Sequence, residues 1–599
     1  MSDRGSVVIS GAAGAWGDSS LSTNQLLVDG RSRYIVYEGL AEITMAILAR
    51  AKAKDPSLGY ARDIIETIAA HLPHFSRRGI RVITNAGGVN PRAAAELIRE
   101  AARAADLDLS VGVVEGDDLT ASVDGLRQAG VVEMSTGEPV PEDPLAVNAY
   151  LGARPIAAAL GGGADVVVTG RVVDSALVLG PLIHEFGWGH DDHYLLSAGS
   201  LAGHLLECGP QATGGLLTDW EDTKSWASPG YPIAEVSPDG SFVLTAPDDS
   251  DALVDVRTVA EQLLYEIGDP TAYVLPDVVC DWSGVELVQV GENRVEVAGA
   301  RGRPPTPTLK ACAQVADGWR VQMLLFVGGR AAVAKARRAG EDLVERGRRM
   351  LAAAGLGDFR ETSIEILGAE DTYGPHARRG DTREVVLKIA VHHDSREAVA
   401  RFIREIPSIG LAGPPGVSGG GTGLPRPSPL IRLQCFLVPR EMVTATAEVE
   451  GEPVPFEDVY PAQCQPLFRV DADSPGIELP AGETVEVPLI AIAHGRSGDK
   501  GADVNIGLRA RHPDFLPLLL GQVTAEAVSG WLAHLGARSV ERYELPGIDA
   551  VNFLLRGGLG AGGTASLRFD PQGKALAQQL LDMPVRLPVG LAGHAALRS

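Results

Sequence analysis

Short β-branched runs alternate with amphipathic stretches along the first 190 residues, which predicts βαβ units and a largely parallel sheet flanked by helices. Val7–Ile9 is the first run, and Gly11-Ala-Ala-Gly14-Ala-Trp16-Gly17-Asp18 follows it as a loop. Tyr34–Tyr37 is the second. It leads into a helix in which Leu40, Ile43, Ile47, Leu48 and Ala51 share one face. Glu38 and Glu42 near its start, with Arg50, Lys52 and Lys54 near its end, suit the helix dipole. A second helix carries Tyr60, Ile64, Ile65, Ile68 and Leu72 on one stripe. Arg81–Thr84 reads as a strand and Asn85–Asn90 as a loop, with Asn90 capping a helix that Pro91 opens. Residues 109–115 and 165–168 read as strands, and 149–160, 174–186 and 192–208 as helices.

Beyond residue 215 the periods mix. Strands at 241–245, 294–299 and 384–391 lie among long helices at 258–267 and 331–354, which predicts an α+β region. Residues 411–429 are the piece richest in Gly and Pro; a mobile linker is favoured over a backbone-lined ligand loop. A second joint near 471–483 precedes a last unit with strands around 540–545, 550–556 and 565–569 and a final helix and strand. Strands flanking helical segments predict a ferredoxin-like α/β sandwich. The expected organisation is an α/β region over 1–215, an α+β middle of the same large domain over 216–470, and the sandwich over 484–590.

Composition narrows the function classes. The chain has 599 residues with 53 Lys+Arg against 77 Asp+Glu, a net charge of −24, which disfavours duplex nucleic acid or an anionic membrane as principal partner. An anionic ligand then needs a local pocket of Arg, Lys and helix N-termini. With 45% apolar and 22% charged residues, a large folded core is expected. The five cysteines are widely spaced with no C-x-x-C pair, so neither a disulfide framework nor a cysteine zinc site is suggested. No signal-peptide-like segment and no long uninterrupted apolar run is legible, and a cytoplasmic protein is expected.

Ligands of open parallel sheets bind at the carboxyl ends of the strands, so the residues after each run are the candidates. Gly11, Gly14 and Gly17, spaced G-x-x-G-x-x-G, can bring N–H groups to a phosphate or carboxylate; a tight strand-to-helix turn explains them equally. Asp18 follows them. Asn85, Gly87 and Gly88 lie after the third run. In Thr169-Gly170-Arg171-Val-Val-Asp174, Arg171 can grip an anion and Asp174 can act as acid or base, or the two simply pair at a helix start. His204 and Glu207 share a helical face; with no third ligand at a convincing spacing, a structural role is favoured over a metal, and no residue is assigned to one. His494-Gly-Arg496-Ser497-Gly-Asp-Lys500-Gly-Ala-Asp503-Val-Asn505 concentrates donors and acceptors, which favours an acyl-ligand or domain contact over a plain hairpin.

These segments together resemble the acyclic terpene utilisation AtuA family. The match is carried by GAAGAWGDS (11–19), ITNAGGVNP (83–91), VVTGRVVDSALVLGPLIHEFGW (167–188), AGHLLECGPQATGG (202–215) and HGRSGDKGADVNIGLRAR (494–511). It covers nearly the whole chain, and the last unit resembles that family's ferredoxin-fold domain. The resemblance implies bacterial catabolism of acyclic terpenes through branched acyl-CoA intermediates, and it brings no catalytic residues with it.

The expectation is therefore an enzyme acting on an acyl-CoA as hydratase or C–C lyase. Asp18, Asp174 or Glu207 would supply the acid or base, Asn85, Arg171 and the glycine N–H groups would stabilise an enolate, and Arg496, Ser497 and Lys500 would meet the CoA moiety. A lyase would call for a divalent metal, and no ligand triad for one is legible. The alternative is a non-catalytic acyl-ligand-binding or scaffold subunit. A homo-oligomer is expected from size and from the family resemblance, with the last unit packing across a subunit boundary.

Overall fold

The computed structural model describes residues 5–18, 21–419, 423–463 and 482–598, with residues 42 and 43 described by their backbone only. Ser19, Cys464, residues 420–422, most of the 471–483 joint and the side chains of Glu42 and Ile43 lie outside it. The first six strands are β1 (Val7–Gly14), β2 (Tyr34–Glu38), β3 (Arg81–Thr84), β4 (Val111–Glu115), β5 (Ala146–Ala149) and β6 (Val166–Thr169). All but β5 pair in parallel, in the order β1-β2-β3-β6-β4, at the centre of an eleven-stranded sheet. Their Val and Ile content follows from burial on both faces. Tyr34 and Val36 pack into one layer with Leu177, Leu205 and Leu263, while Ile35 and Tyr37 pack into the other with Ile65, Ile68 and Ile98.

The middle region completes this sheet. β7 (Ile233–Val236) and β8 (Phe242–Thr245) extend it antiparallel beyond β1, followed by Arg294–Ala298 and Glu286–Gly291. Thr446–Val449 and Glu452–Pro453 extend it beyond β4. A second sheet is built on the strand Thr308–Gly328. Ser428–Pro439 and β5 pair with its first part, and Glu384–His393 and Val417–Gly419 pair with its end. Helices Ala332–Ala353 and Arg396–Glu405 cover this sheet through Leu343, Leu351, Val399 and Phe402.

The C-terminal domain is ferredoxin-like. Its antiparallel sheet runs Ala493–Lys500, Asp503–Ala510, Ala550–Arg556, Ser539–Leu545, with helices Leu516–Gln522, Ala525–Trp531 and Leu576–Leu580. The helix Val256–Leu264 of the main body packs against the first two of these strands. Among the described residues no helix is long and apolar enough to cross a membrane.

Several sequence expectations are corrected. β1 continues through Gly14, because Gly11–Gly14 pair in parallel with Val36–Glu38; only the residues after Gly14 form the loop. Glu38 ends β2 and is not part of the helix, which begins at Glu42. Asn90 is at the cap position but makes no capping bond, since its amide donates to Pro56 O (2.9 Å) and Leu58 O (2.8 Å). The stretch read as one helix over 149–160 is the end of β5 followed by the helix Arg154–Gly161. Residues 565–569 are not a strand. Finally, His494–Asn505, expected to be more than a plain hairpin, does lie in one, its two paired strands turning at Gly501-Ala502.

Candidate active site at the strand ends

The ends of β2, β3 and β6 bring Glu38, Asn85 and Arg171 together. Glu38 is 7% exposed, and its Oε1 accepts from Leu40 N–H (2.6 Å) and Asn85 Nδ2 (3.1 Å). Asn85 Oδ1 accepts from Gly39 N–H (2.9 Å), so both ends of this amide are used to hold Glu38 and its turn. Arg171 Nη1 donates to Leu40 O and to Asp174 Oδ1, each at 2.8 Å, and the guanidinium lies 4.2 Å above the Tyr150 ring centroid. Lys310 Nζ lies 4.9 Å from the same centroid. Burial, reinforced by the charge of Asp174 and opposed by Arg171, pushes the Glu38 pKa up to about 8. Glu38 is thus an acid at neutral pH, beside a fixed cation. Beside Gly170 and the Arg171 backbone, burial pushes Asp117 up to about 6 while Asn148 Nδ2 donates to it (2.8 Å).

A second group faces this one from the helix His193–Leu206 and the C-terminal domain. His204 Nε2 lies 3.1 Å from the carbonyl of Gln262 and Nδ1 3.1 Å from Glu207 Oε1, so both ring nitrogens face acceptors. Tyr273 lies beside His204, with ring centroids 6.2 Å apart, and Lys500 Nζ is 5.6 Å from the Tyr273 ring centroid. Burial disfavours the Lys500 ammonium, but its proximity to Tyr273, Glu266 and Glu207 outweighs this and holds its pKa above the ordinary lysine value. Asp174 and Glu207 both raise the Tyr273 pKa, after burial. Lys500, at the ring, and Asp174, through its charge, thus both act on Tyr273 within one chain. Burial and the charges of Glu207, Glu266 and Glu38 keep the Cys208 thiol protonated, which makes it a poor nucleophile.

The remaining candidates are held mainly by their own chain. Asp18 Oδ2 accepts from Gly14 N–H (3.0 Å), and its Oδ1 from the Tyr231 hydroxyl (2.8 Å). The N–H groups of Gly11, Gly17 and Gly88 bond to Pro232 O, Asp63 Oδ2 and Asn85 O. A Cβ at Gly14 would lie 2.5 Å from the Cys208 carbonyl carbon, and one at Gly87 2.5 Å from Thr169 O, so both glycines allow backbones to touch. Arg496 is buried; it donates to Gln211 Oε1 and lies 4.4 Å over the Tyr265 ring centroid. Ser497 Oγ accepts from Ala577 N–H (2.9 Å) and donates to Gly573 O (2.7 Å), tying down the last helix. A three-residue ligand group, unexpected from sequence, exists elsewhere: His512, Asp514 and His594 place ligand atoms within 4.8 Å of one another. Both ring Nδ1 atoms there accept backbone N–H bonds, from Asp514 (3.2 Å) and Ala596 (3.1 Å).

Glu38, Tyr150, Lys310 and Tyr273 escape a search along the sequence.

A parallel sheet with a buried acid and cations at its strand ends, carrying an appended ferredoxin-like domain, defines an α/β protein of two parts. Both parts are recognised. Residues 7–449 match the acyclic terpene utilisation family protein AtuA and residues 487–586 the AtuA ferredoxin-like domain, so the chain belongs to the AtuA family. Among the curated proteins and the solved structures compared, none matches it.

Proposed function

We propose that the chain is an enzyme of acyclic terpene utilisation that acts on a branched acyl-CoA, as hydratase or C–C lyase. Family membership supports the metabolic setting. The observation that carries the reaction class is the buried Glu38 carboxyl, held by Leu40 N–H and Asn85 at the same strand ends as Arg171, with its pKa pushed up to about 8. Addition of water to an enoyl thioester, or cleavage next to one, passes through an enolate. A positioned acid can protonate the enolate carbon, while a fixed cation offsets the charge on the thioester oxygen. The buried His204, hydrogen-bonded to Glu207 and with Tyr273 and Lys500 near it, supplies a second acid/base group in a low-dielectric pocket.

The test is a panel of branched enoyl- and 3-hydroxyacyl-CoAs, with and without Mg²⁺, read by product mass. Wild-type protein should convert at least one member, and Glu38→Gln should lower turnover about 10²–10⁴-fold while keeping its fold. Binding of the panel without any change of mass would defeat the enzyme reading in favour of a non-catalytic acyl-ligand subunit.

A further inference from the structure

A cleft of about 1320 Å³ separates the second sheet from the C-terminal domain. At one end it is lined by Ala41, Lys310 and Lys500, next to the strand-end cluster; elsewhere it is lined by Arg320, Arg538 and Arg568. The acids of the cleft are mostly satisfied locally. Asp317 pairs with Arg360 (2.5 Å) and Arg432 (2.6 Å), Asp503 with Arg556 (2.9 Å), and Asp499 lies 3.6 Å from Lys574. The three arginines are different. Arg320 donates to Thr564 O (3.1 Å), and Arg568 to Gly558 O (2.7 Å) and Leu535 O (2.9 Å). Among the described residues none of the three is in an ion pair with a carboxylate. Burial alone shifts Arg320, pushing its pKa below the ordinary arginine value.

The wall facing them is a loop with five glycines between 557 and 563, several of which line the cleft. At Gly560 the backbone has φ 63° and a Cβ would meet nothing within 4 Å, so the main chain is open to close approach. Guanidinium groups without a carboxylate partner, two of them half-buried, beside open backbone suit a phosphate. A molecule of charge −24 has reason to keep such a site local.

From this arrangement we infer that the cleft binds the phosphate-bearing end of a nucleotide-type ligand, with Arg320, Arg538 and Arg568 as its phosphate contacts. The inference rests on the acyl-CoA reading for its direction: the 3′-phosphate and diphosphate of CoA would lie here and the pantetheine arm would run past Lys310 and Lys500 to Glu38. It moves the CoA contact from Arg496 and Ser497, which are committed within the fold, to arginines that the sequence does not single out.

Calorimetric titration of the full chain with CoA, adenosine 3′,5′-bisphosphate, adenosine and inorganic phosphate tests it. CoA and the bisphosphate should bind, adenosine and inorganic phosphate at least tenfold more weakly, and affinity should fall with added salt. Arg538→Gln and Arg320→Gln should each weaken bisphosphate binding about tenfold or more, while Arg320→Lys should retain most of it. Arg538 is exposed, so its variant guards against a folding artefact. Unchanged affinity in both Gln variants, or inorganic phosphate binding as tightly as the bisphosphate, would overturn the inference. The two readings separate cleanly. Bisphosphate binding that needs the arginines, without turnover of any thioester, supports the cleft and counts against the reaction. Turnover with KM unchanged in Arg538→Gln overturns the cleft and leaves the reaction standing.

Discussion

Glu38 shows how much a single side chain depends on its setting. Beside a helix start, a glutamate complements the dipole; at the end of a buried strand, with Asp174 near it, the same carboxyl holds its proton to about pH 8. If it is the catalytic acid, kcat/KM should fall as pH rises through about 8, and Glu38→Gln should remove that limb along with most of the activity. The same shift bears on stability. The folded pKa lies above the ordinary 4.5, so the folded state binds the extra proton between these values. The associated stability is fully present below about 4.5 and is lost as pH rises through about 8. Asp117, at about 6, and Glu261, at about 7, act in the same direction. Denaturant unfolding at pH 5 and pH 8.5 should show a larger loss for wild type than for Glu38→Gln. Arg171 and Asp174 were legible from their place after a strand. Glu38 was not singled out, because the strand's last residue cannot be told from the next helix's first turn by charge alone.

At the scale of elements, the strands that were legible are those whose two faces are both buried, since continuous Val and Ile runs mark them: Arg81–Thr84 was located to the residue. β1 was cut short at its glycines, because the reason for those glycines lies in another element. The backbone of Cys208 and Gly209 presses on Gly14, leaving no room for a side chain. Gly14→Ala should therefore cost about 1–3 kcal/mol, measured by urea unfolding, through overpacking against backbone. The helix Val256–Leu264 is the opposite case, with a start written locally. Asp255 and Thr258 form a reciprocal capping box, and the Asp255 side chain accepts from Arg257 N–H (2.8 Å) and Thr258 N–H (3.1 Å). Asp255→Ala should destabilise by about 1 kcal/mol. The strand Thr308–Gly328 was missed because its neighbours change along its length, so no single alternation runs through it.

In the whole molecule, the C-terminal domain docks through polar groups as well as apolar ones. Asp219 of the main body accepts from Arg511 Nη2 (2.7 Å) and His494 Nε2 (3.1 Å) of the domain, and from Arg257 Nη1 (3.1 Å) of its own side. Burial opposes its charge, but these donors win and hold its pKa well below the carboxylate range. Asn505 Oδ1 accepts from Glu266 N–H (2.7 Å), and Asn552 Nδ2 donates to Gly268 O (2.6 Å). Asp219→Ala leaves Arg511 buried beside His494 without its carboxylate and should cost about 3–5 kcal/mol, seen as earlier release of the domain in limited proteolysis under denaturant. His494 gives the docking an acid limit. Burial, with the charge of Arg511 and against Asp219, lowers its pKa to about 4 from 6.5, so the unfolded state binds the proton between these values. Stability present above about pH 6.5 is then lost as pH falls through 4.

The α/β class, the parallel strand runs, the separate C-terminal sandwich, the family and the loops from which a site could be built were all readable along the chain. These are local or cumulative signals: side-chain period, turn residues, motif spacing and charge totals survive in one dimension. Only the tertiary structure decided which of those residues meet. It joined the strands of the middle region to the first sheet, buried Glu38, spent Arg496 and Ser497 on packing, and set Arg320, Arg538 and Arg568 around one cleft. Burial and charge neighbourhood depend on residues hundreds of positions apart, and those two quantities set what a carboxyl or a guanidinium can do.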